Sequence, residues 1–251
     1  MPRYDFRTPR LYVDAPMAAG TTLPLEAGQA NYLRNVLRFK AGDAVLVFNG
    51  RDGEWQATLA DGGKRSASLV VGERSRAQTR PPDLHYLFAP LKHARLDYMV
   101  QKAVEMGASR LQPVLTRHVQ VARVNLERMR ANAIEAAEQC GILTLPEIAA
   151  PVALERALAE RDPGRLLVFC DEDAEVKDPV AALSAARAER GAGVPLAVLV
   201  GPEGGFTEDE RAMLAKSPNV VRLALGPRIL RADTAAVAAL ALVGAVLGDW
   251  R

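Results

Sequence analysis

The pattern of apolar and polar positions divides the chain into two parts. In the first part, up to about residue 76, short apolar runs are separated by turn residues such as Asn49-Gly50. This pattern predicts β-strands at residues 11–13, 44–48, 54–59 and 67–71. One helix interrupts them, because residues 29–37 carry their apolar side chains on a single stripe. Four or five short strands and one helix predict a small β-barrel domain over residues 1–76.

The second part, residues 77–251, follows a linker marked by Pro81-Pro82. Helical spacing predicts a helix that ends at Gly107, another that Asn125 caps, and a closing helix at 235–247 that is apolar nearly all round. Runs that are apolar at every position predict strands at 166–170 and 196–200, and two further strands are predicted at 84–89 and 220–225. Such strands are buried on both faces, as in a parallel sheet covered by helices. We therefore expect an α/β domain with a mostly parallel sheet and helices on both faces.

Composition narrows the class of protein. The 251 residues are 49% hydrophobic and 25% charged, which is typical of a globular protein, and the net charge is +2. Two cysteines and three histidines, which do not cluster, provide neither a disulfide framework nor a metal site. The N-terminus lacks the apolar core of a signal peptide, and the longest apolar stretch, 234–247, is too short to span a bilayer. We expect a soluble, cytoplasmic protein that holds no metal.

Charge is distributed unevenly along the chain. Residues 1–80 contain 12 basic and 8 acidic side chains, whereas the rest of the chain contains 20 basic and 22 acidic ones. A positive surplus in the smaller part indicates an anionic partner. Chance alone produces a difference of this size about as readily, so the count does not decide the matter.

Three of the predicted strands end in loops with unusual composition, at residues 170–173, 201–205 and 225–231. Ligands of open α/β sheets bind beyond the carboxyl ends of the strands, so these loops predict one pocket. The middle loop contains three glycines, and Thr207 and Glu210 then form a capping box that starts the next helix. A plain strand-to-helix turn explains the glycines equally well. A phosphate cradle is disfavoured by four carboxylates within eight residues, which favour a neutral or cationic ligand.

The third loop has the opposite charge. Arg228 and Arg231 flank the apolar pair Ile229-Leu230, and Asp233 follows. Two guanidinium groups beside an apolar wall suit a phosphate or a base. The plain alternative is that Asp233 or Thr234 caps the next helix.

The motifs LVGPEGGF (199–206) and LGPRILRADTA (225–235), taken together, resemble the knotted SPOUT methyltransferases. Within them, the chain is most similar to the bacterial enzymes that methylate N3 of a uridine in 16S rRNA. The likeness extends through residues 37–43, 101–107 and 135–141, so it covers nearly the whole chain. It departs from the family pattern at Ile142, where an arginine is expected, and at Thr116–His118, where Glu-Arg-Ser is more usual.

The resemblance implies a PUA-like domain at 1–76 and, at 77–251, a SPOUT domain whose last segment forms a deep trefoil knot. It also implies S-adenosylmethionine as the methyl donor, a homodimer, and 16S rRNA as the partner, with uridine 1498 of the assembled small ribosomal subunit as the target. A sulfonium cation agrees with the acidic character of the middle loop.

The resemblance also assigns roles to individual residues. The cofactor would contact the three loops at Asp171, Val200, Gly201, Glu203, Gly204, Leu225, Gly226, Ile229 and Leu230. Asp233 and Glu203 are the candidate bases for the N3 proton, and Arg231 would stabilise negative charge on a uracil oxygen or simply bind phosphate. A helix cap at Asp233 and a turn at Glu203 remain alternatives. RNA phosphates would contact Arg3, Arg7, Arg10, Arg34, Arg38, Lys40 and Lys92.

Two other functions are compatible with the sequence. The first is the same fold acting on a different RNA acceptor, such as a ribose hydroxyl or another base. The second is a catalytically silent RNA-binding assembly factor that keeps the loops as structure. A thermal shift with S-adenosylmethionine separates the second from an enzyme, because a ligand that binds only the folded state raises its stability.

Overall fold

The computed structural model describes residues 5, 7–60, 67–121, 123–191 and 193–250. It divides the chain into two units. Unit 1 comprises residues 1–80 together with 134–145, and unit 2 comprises residues 81–133 together with 146–251.

Unit 1 is built on a five-stranded sheet in the order β1-β3-β4-β5-β2. Strands β1 and β3 are parallel, and the other neighbours are antiparallel. Alternate residues of β3, β4 and β5, for example Val45, Ala57 and Leu69, point into one apolar core. The strands are β1 (Arg10–Tyr12), β2 (Thr22–Pro24), β3 (Ala44–Phe48), β4 (Glu54–Leu59) and β5 (Ser68–Arg76).

The helix of unit 1 begins as α1 (Ala27–Asn31) and continues as a π-helical turn at Tyr32–Val36. The predicted helix at 29–37 is confirmed, although it starts two residues earlier because Glu26 and Gln29 form a capping box. Leu33 is fully buried in the core of the unit, and Arg38 leaves the helix in the left-handed region at φ 59°.

The turn between β3 and β4 is longer than the Asn49-Gly50 dipeptide, which is typical of tight hairpin turns, would suggest. Asn49 is buried, and its side-chain oxygen accepts hydrogen bonds from the amides of Arg51 and Asp52, both at 2.9 Å. This arrangement is an Asx turn inside a five-residue loop, 49–53. Gly53 closes it at φ 88°, where a Cβ atom would lie 2.3 Å from the carbonyl oxygen of Arg76.

Unit 2 contains a parallel sheet in the order β12-β10-β11-β6-β7-β8, with β9 paired to β7. Its strands are β6 (Leu84–Phe88), β7 (Arg110–Leu115), β8 (Glu147–Ile148), β9 (Val152–Ala153), β10 (Leu166–Cys170), β11 (Leu196–Val200) and β12 (Val220–Leu223). Its helices are α2 (His93–Glu105), α3 (Leu126–Cys140), α4 (Leu154–Ala159), α5 (Pro179–Arg190), α6 (Glu208–Lys216) and α7 (Ala232–Val246). The last residues of α3 belong to unit 1.

The α/β class predicted for this part is confirmed. Strands β10 and β11 are almost entirely buried, as their continuous apolar runs predict. The closing helix α7 packs against α2, α5 and β11, which accounts for its apolar circumference. It starts three residues before the predicted position, with Arg231 at its N-cap, so the alternative that Asp233 or Thr234 caps this helix is wrong.

The structure adds features that the pattern does not predict, notably β7, α4 and α5. Strand β7 carries Gln112 and Pro113 at its centre, which weakens its apolar signal. Both cysteines are free, and none of the helices in the described residues is long and apolar enough to cross a membrane.

Candidate active site

The carboxyl ends of β10, β11 and β12 lie at one edge of the sheet in unit 2, because the three strands are parallel. The loops that follow them line a cavity of about 270 Å³. All nine residues predicted to contact a cofactor line it, together with Cys170, Glu172, Phe206 and Arg228. The pocket predicted from the three loops therefore exists, and contact with a cofactor remains a prediction.

The middle loop has the shape that its glycines allow. A Cβ atom at Gly201 would lie 2.5 Å from the ring of Phe206, so only glycine fits there. Phe206 in turn packs edge-on against Phe169 of β10, with 5.0 Å between the ring centroids. Gly205 adopts φ 68°, which a side chain would disfavour. These positions bring backbone, rather than side chains, to the cavity wall.

The predicted capping box at the start of α6 is confirmed. The hydroxyl of Thr207 accepts from the amide of Glu210 at 3.2 Å, and the Thr207 amide donates back to the Glu210 carboxylate at 2.9 Å. Glu210 is buried, and its other oxygen accepts from the amide of Arg117 at 2.8 Å. Glu210 therefore fixes the end of the middle loop by two contacts, one with Thr207 and one with the segment that follows β7.

Residue His118, at one of the departures from the family pattern, contacts the middle loop. Its Nδ1 lies 3.0 Å from the carbonyl oxygen of Gly204 and 3.2 Å from that of Gly205. Two carbonyl oxygens can only accept, so Nδ1 carries the proton and donates it. The segment after β7 therefore borders the candidate site, which its position outside the three loops did not indicate.

Asp171 lies at the first loop with its carboxylate fully buried. Arg222 donates to it at 2.9 and 2.6 Å, Arg211 donates to its other oxygen, and so does the amide of Asp173 at 3.1 Å. Because these donors occupy the carboxylate, Asp171 is left with only its backbone to offer a ligand.

Three carboxylates, those of Asp171, Glu172 and Asp173, lie close enough together to share a metal ion. Arg211 forms an ion pair with all three and also donates to the carbonyl oxygen of Phe206. The guanidinium therefore supplies the positive charge that this cluster needs, and it ties the first loop to α6.

Both candidate bases contact one arginine that the sequence analysis did not single out. Arg95, in the first turn of α2, forms ion pairs with Glu203 and, at 2.9 Å, with Asp233. Hydrogen bonding from Arg95 is the main reason that the pKa of Asp233 lies below its ordinary value. The available signal was its place at the start of the helix that follows β6, three residues from Lys92.

The basic loop before α7 is open to solvent. Arg228 lines the cavity, Arg231 is exposed at the N-cap of α7, and Ile229 is 93% exposed. Among the described contacts, neither arginine has a carboxylate partner, so both are available to an anionic group.

The residues predicted to contact RNA are placed differently from one another. Arg7, Arg38, Lys40 and Lys92 are exposed, Arg34 is half-buried, and Arg3 lies outside the described residues. Arg117 and Arg123, between β7 and α3, are exposed cations that the prediction did not include.

The structure contradicts the predicted role of Arg10. Its side chain is only 7% exposed, and it donates to Glu54 at 2.7 Å and to the carbonyl oxygens of Glu138 and Ile142, both at 3.0 Å. The guanidinium also lies 4.4 Å from the centroid of the Phe48 ring. An arginine with its donors engaged inside unit 1 holds that unit together, so the prediction that Arg10 contacts RNA is wrong.

A second cavity in unit 2, of about 290 Å³, lies where β6, β7, β10 and β11 begin. Two of its arginines already form ion pairs: Arg165 pairs with Asp83 at 2.6 Å, and Arg110 pairs with Glu147 at 2.9 Å. Burial, aided by Arg165, lowers the pKa of His85 to about 4, so the imidazole is neutral at physiological pH. The two cavities are similar in size, but of the two only the cavity of about 270 Å³ is lined by the three loops of unusual composition.

Comparison with known proteins finds matches along most of the chain. A model of the RNA methyltransferase domain matches residues 78–244, and a model of the RNA methyltransferase PUA domain matches residues 25–72. Ribosomal RNA small subunit methyltransferase E from Rickettsia conorii is 32% identical over 235 residues, which cover 93% of this chain and 94% of that protein. The protein of the same name from Synechocystis is 32% identical over 243 residues, covering 95% of this chain and 78% of that protein.

Two solved structures are similar over almost the whole chain. Ribosomal RNA small subunit methyltransferase E from Neisseria gonorrhoeae, bound to S-adenosylmethionine, has a TM-score of 0.84 at 26% identity and covers 98% of this chain and 100% of that one. A Legionella pneumophila methyltransferase, also with bound S-adenosylmethionine, has a TM-score of 0.79 at 27% identity and covers 97% and 99%.

Proposed function

Because this chain belongs to the RNA methyltransferase family that includes ribosomal RNA small subunit methyltransferase E, we propose that it methylates N3 of uridine 1498 in 16S rRNA, with S-adenosylmethionine as the methyl donor. The observation that carries the proposal is the cavity of about 270 Å³, which all nine residues predicted to contact the cofactor line. We propose that the substrate is the assembled small ribosomal subunit. We also propose that the chain forms the trefoil knot and the homodimer that the resemblance implies.

The cavity suits S-adenosylmethionine chemically. The lack of side chains at Gly201 and Gly204 leaves backbone atoms to face a ligand, and a Cβ atom at Gly201 would collide with Phe206. Glu203 and Glu172 on the rim tolerate a cation, whereas they would repel a triphosphate. Backbone atoms would hold the cofactor, namely those of Val200, Gly201, Gly204, Leu225, Gly226 and Leu230. When bound, it would supply a methyl group on a positively charged sulfur.

The protein must remove a proton before the transfer, because N3 of uracil is a poor nucleophile while it is protonated. Asp233 and Glu203 are the groups that accept it in this proposal, since both carboxylates lie beside the cavity loops and share Arg95. Arg231, exposed at the start of α7, stabilises negative charge on a uracil oxygen. The N3 lone pair would then form a bond to the methyl carbon while the bond between that carbon and the sulfonium sulfur breaks, which would leave a neutral thioether.

Substrate RNA contacts the exposed cations of both units. Arg7, Arg38 and Lys40 in unit 1 and Lys92 in unit 2 are accessible to phosphates, Arg34 is half-buried, and Arg10 is not accessible. Phosphate contacts position an RNA, and the base to be methylated is then presented outside its stack.

The homodimer is supported by apolar side chains on neighbouring elements of unit 2. Tyr98 of α2 is 46% exposed and Trp250, which packs on α7, is 49% exposed. Helices α2 and α7 pack against each other, so both side chains suit a second copy of the chain. Light scattering of the purified protein would measure the mass of the assembly.

The test is a methyl-transfer assay on small ribosomal subunits from cells that lack this activity, with labelled S-adenosylmethionine and nucleoside mass spectrometry. We expect 3-methyluridine that depends on the enzyme. Label in another nucleoside would overturn the acceptor and keep the cofactor. No label, together with no thermal stabilisation by S-adenosylmethionine, would favour the assembly factor, because binding at 100 times Kd stabilises a protein by about 2.7 kcal/mol.

A further inference from the structure

Arg95 connects two segments that the chain keeps far apart. Its Nη2 lies 2.9 Å from Oδ1 of Asp233 and its Nε lies 3.4 Å from Oδ2, so the guanidinium faces that carboxylate with two donors. Its Nη1 donates to Oε1 of Glu203. Asp233 belongs to the first turn of α7, and Glu203 belongs to the loop after β11.

We propose that Arg95 is a positioning residue for methyl transfer, which holds the carboxylates of Glu203 and Asp233 in place beside the cavity. The inference rests on the proposed function, in which these carboxylates are the candidate bases. Glu203 is 39% exposed and Asp233 is 19% exposed, so without a partner each would sample several rotamers. The planar fork of an arginine restricts both carboxylates at once, which an ammonium group does less well.

The contact with Arg95 also favours the charged form of Asp233. Asp233 faces Arg95 from α2, the amide of Thr234 from its own helix and the buried Tyr86 hydroxyl from β6, with Glu203 on the other side of Arg95. Of these groups, Arg95 does most to lower the pKa of Asp233. Loss of the guanidinium would leave the carboxylates of Glu203 and Asp233 without its positive charge beside them, so the pKa of Asp233 would rise.

The experiment compares Arg95→Gln and Arg95→Lys with the wild type in the methyl-transfer assay over a series of pH values. Arg128→Gln is the matched control, because Arg128 also pairs with a carboxylate of α2, that of Asp97 at 2.6 Å, and neither residue lines the cavity. S-adenosylmethionine affinity is measured by calorimetry, and folding is measured by thermal unfolding.

We expect Arg95→Gln to lower kcat by roughly 10- to 100-fold, since a small misplacement of a reacting group has effects of that order. Affinity for S-adenosylmethionine should change less than kcat. The acid limb of the pH–rate profile should move to higher pH, because Asp233 then holds its proton over a wider range. Arg95→Lys should recover part of the rate, and Arg128→Gln should behave as the wild type.

Wild-type kcat in Arg95→Gln would overturn the proposal. So would a lower kcat with an unmoved acid limb, or a loss that a fall in melting temperature explains, since both indicate structural support alone. Failure of the proposed function is distinguishable, because the wild type itself would then form no 3-methyluridine. If the wild type labels another nucleoside, the variants are compared by the rate at which they form that product. The outcomes that support or overturn the proposal are then the same.

Discussion

Asp171 and Asp233 show how far the surroundings of a residue decide its task. Asp171 lines the cavity, but its carboxylate is fully buried and is occupied by Arg211 and Arg222. In the sequence, Asp233 lies between two residues that line the cavity. Its side chain is partly exposed, and its cationic partner among the described contacts is Arg95. One aspartate therefore supports the loops, whereas the other is partly exposed and remains a candidate base.

The first prediction concerns Asp233. Replacing it with asparagine keeps the size of the side chain but removes the carboxylate that would accept the N3 proton. We expect Asp233→Asn to bind S-adenosylmethionine with nearly normal affinity and to lose methyl transfer by about 10²–10⁴-fold, the usual range for a positioned base. Calorimetry and the methyl-transfer assay measure the two effects. Unchanged turnover would remove Asp233 from the mechanism and leave Glu203 as the candidate.

At the scale of elements, unit 1 is held by charges as well as by its apolar core. Glu54 at the start of β4 pairs with Arg10 of β1 at 2.7 Å and with Arg76 of β5 at 2.5 Å, and the Glu54 side chain is only 4% exposed. Burial by itself would raise the pKa of Glu54, but hydrogen bonds from the two arginines outweigh it and hold the pKa below its ordinary value. Three strands thus meet at one buried carboxylate.

The second prediction follows from that cluster. Glu54→Gln leaves two buried arginines without their counter-charge, so we expect unit 1 to lose about 3–5 kcal/mol of stability. Thermal unfolding followed by the fluorescence of Trp55, which lies in β4, measures the effect. The matched control is Arg156→Gln, which breaks a surface pair whose partners are 67% and 59% exposed and should cost less than about 1 kcal/mol. Equal effects of the two substitutions would contradict the role of the cluster.

The pH dependence of this cluster has a definite sign. Because the folded pKa of Glu54 is depressed, its contribution to stability is present above the unfolded pKa and is lost as the pH falls through the folded value. Acid should therefore weaken unit 1 in the wild type more than in Glu54→Gln, which has no carboxylate to protonate.

At the scale of the whole molecule, the distribution of exposed cations matters more than the net charge of +2. Arg7, Arg38 and Lys40 carry the positive surplus of the N-terminal part to the surface, whereas Arg10 is neutralised inside. Such cations bind a polyanion by releasing its counterions, so the affinity depends on salt.

The third prediction tests this distribution. Affinity for the rRNA substrate, measured by filter binding, should fall steeply and linearly on a log–log plot against salt. The double substitution Arg38→Gln with Lys40→Gln should reduce the slope by about 1.4–1.8, since each phosphate contact contributes about 0.7–0.9. Arg156→Gln, in which a paired surface arginine of α4 is lost, should leave the slope unchanged. A slope unaffected by the double substitution would place the RNA elsewhere on the molecule.

Local patterns in the sequence determined most elements, because hydrophobic periodicity and helix caps act between neighbours in the chain. The buried strands β10 and β11 and the Thr207–Glu210 capping box could be predicted in this way. So could the cavity, since parallel strands place their carboxyl ends at one edge. Strand β7 could not, because Gln112 and Pro113 interrupt its apolar run.

Only the tertiary structure decided which charged side chains meet. Arg95 and Asp233 are 138 residues apart, and Arg10 and Glu54 are 44 apart, so no local pattern relates them. Their pairing depends on strand order and on the direction in which each strand leaves the sheet. For that reason, the sequence by itself determined the loops and the family, whereas the fold decided that Arg10 is internal, that Asp171 is occupied and that Arg95 joins the two candidate bases.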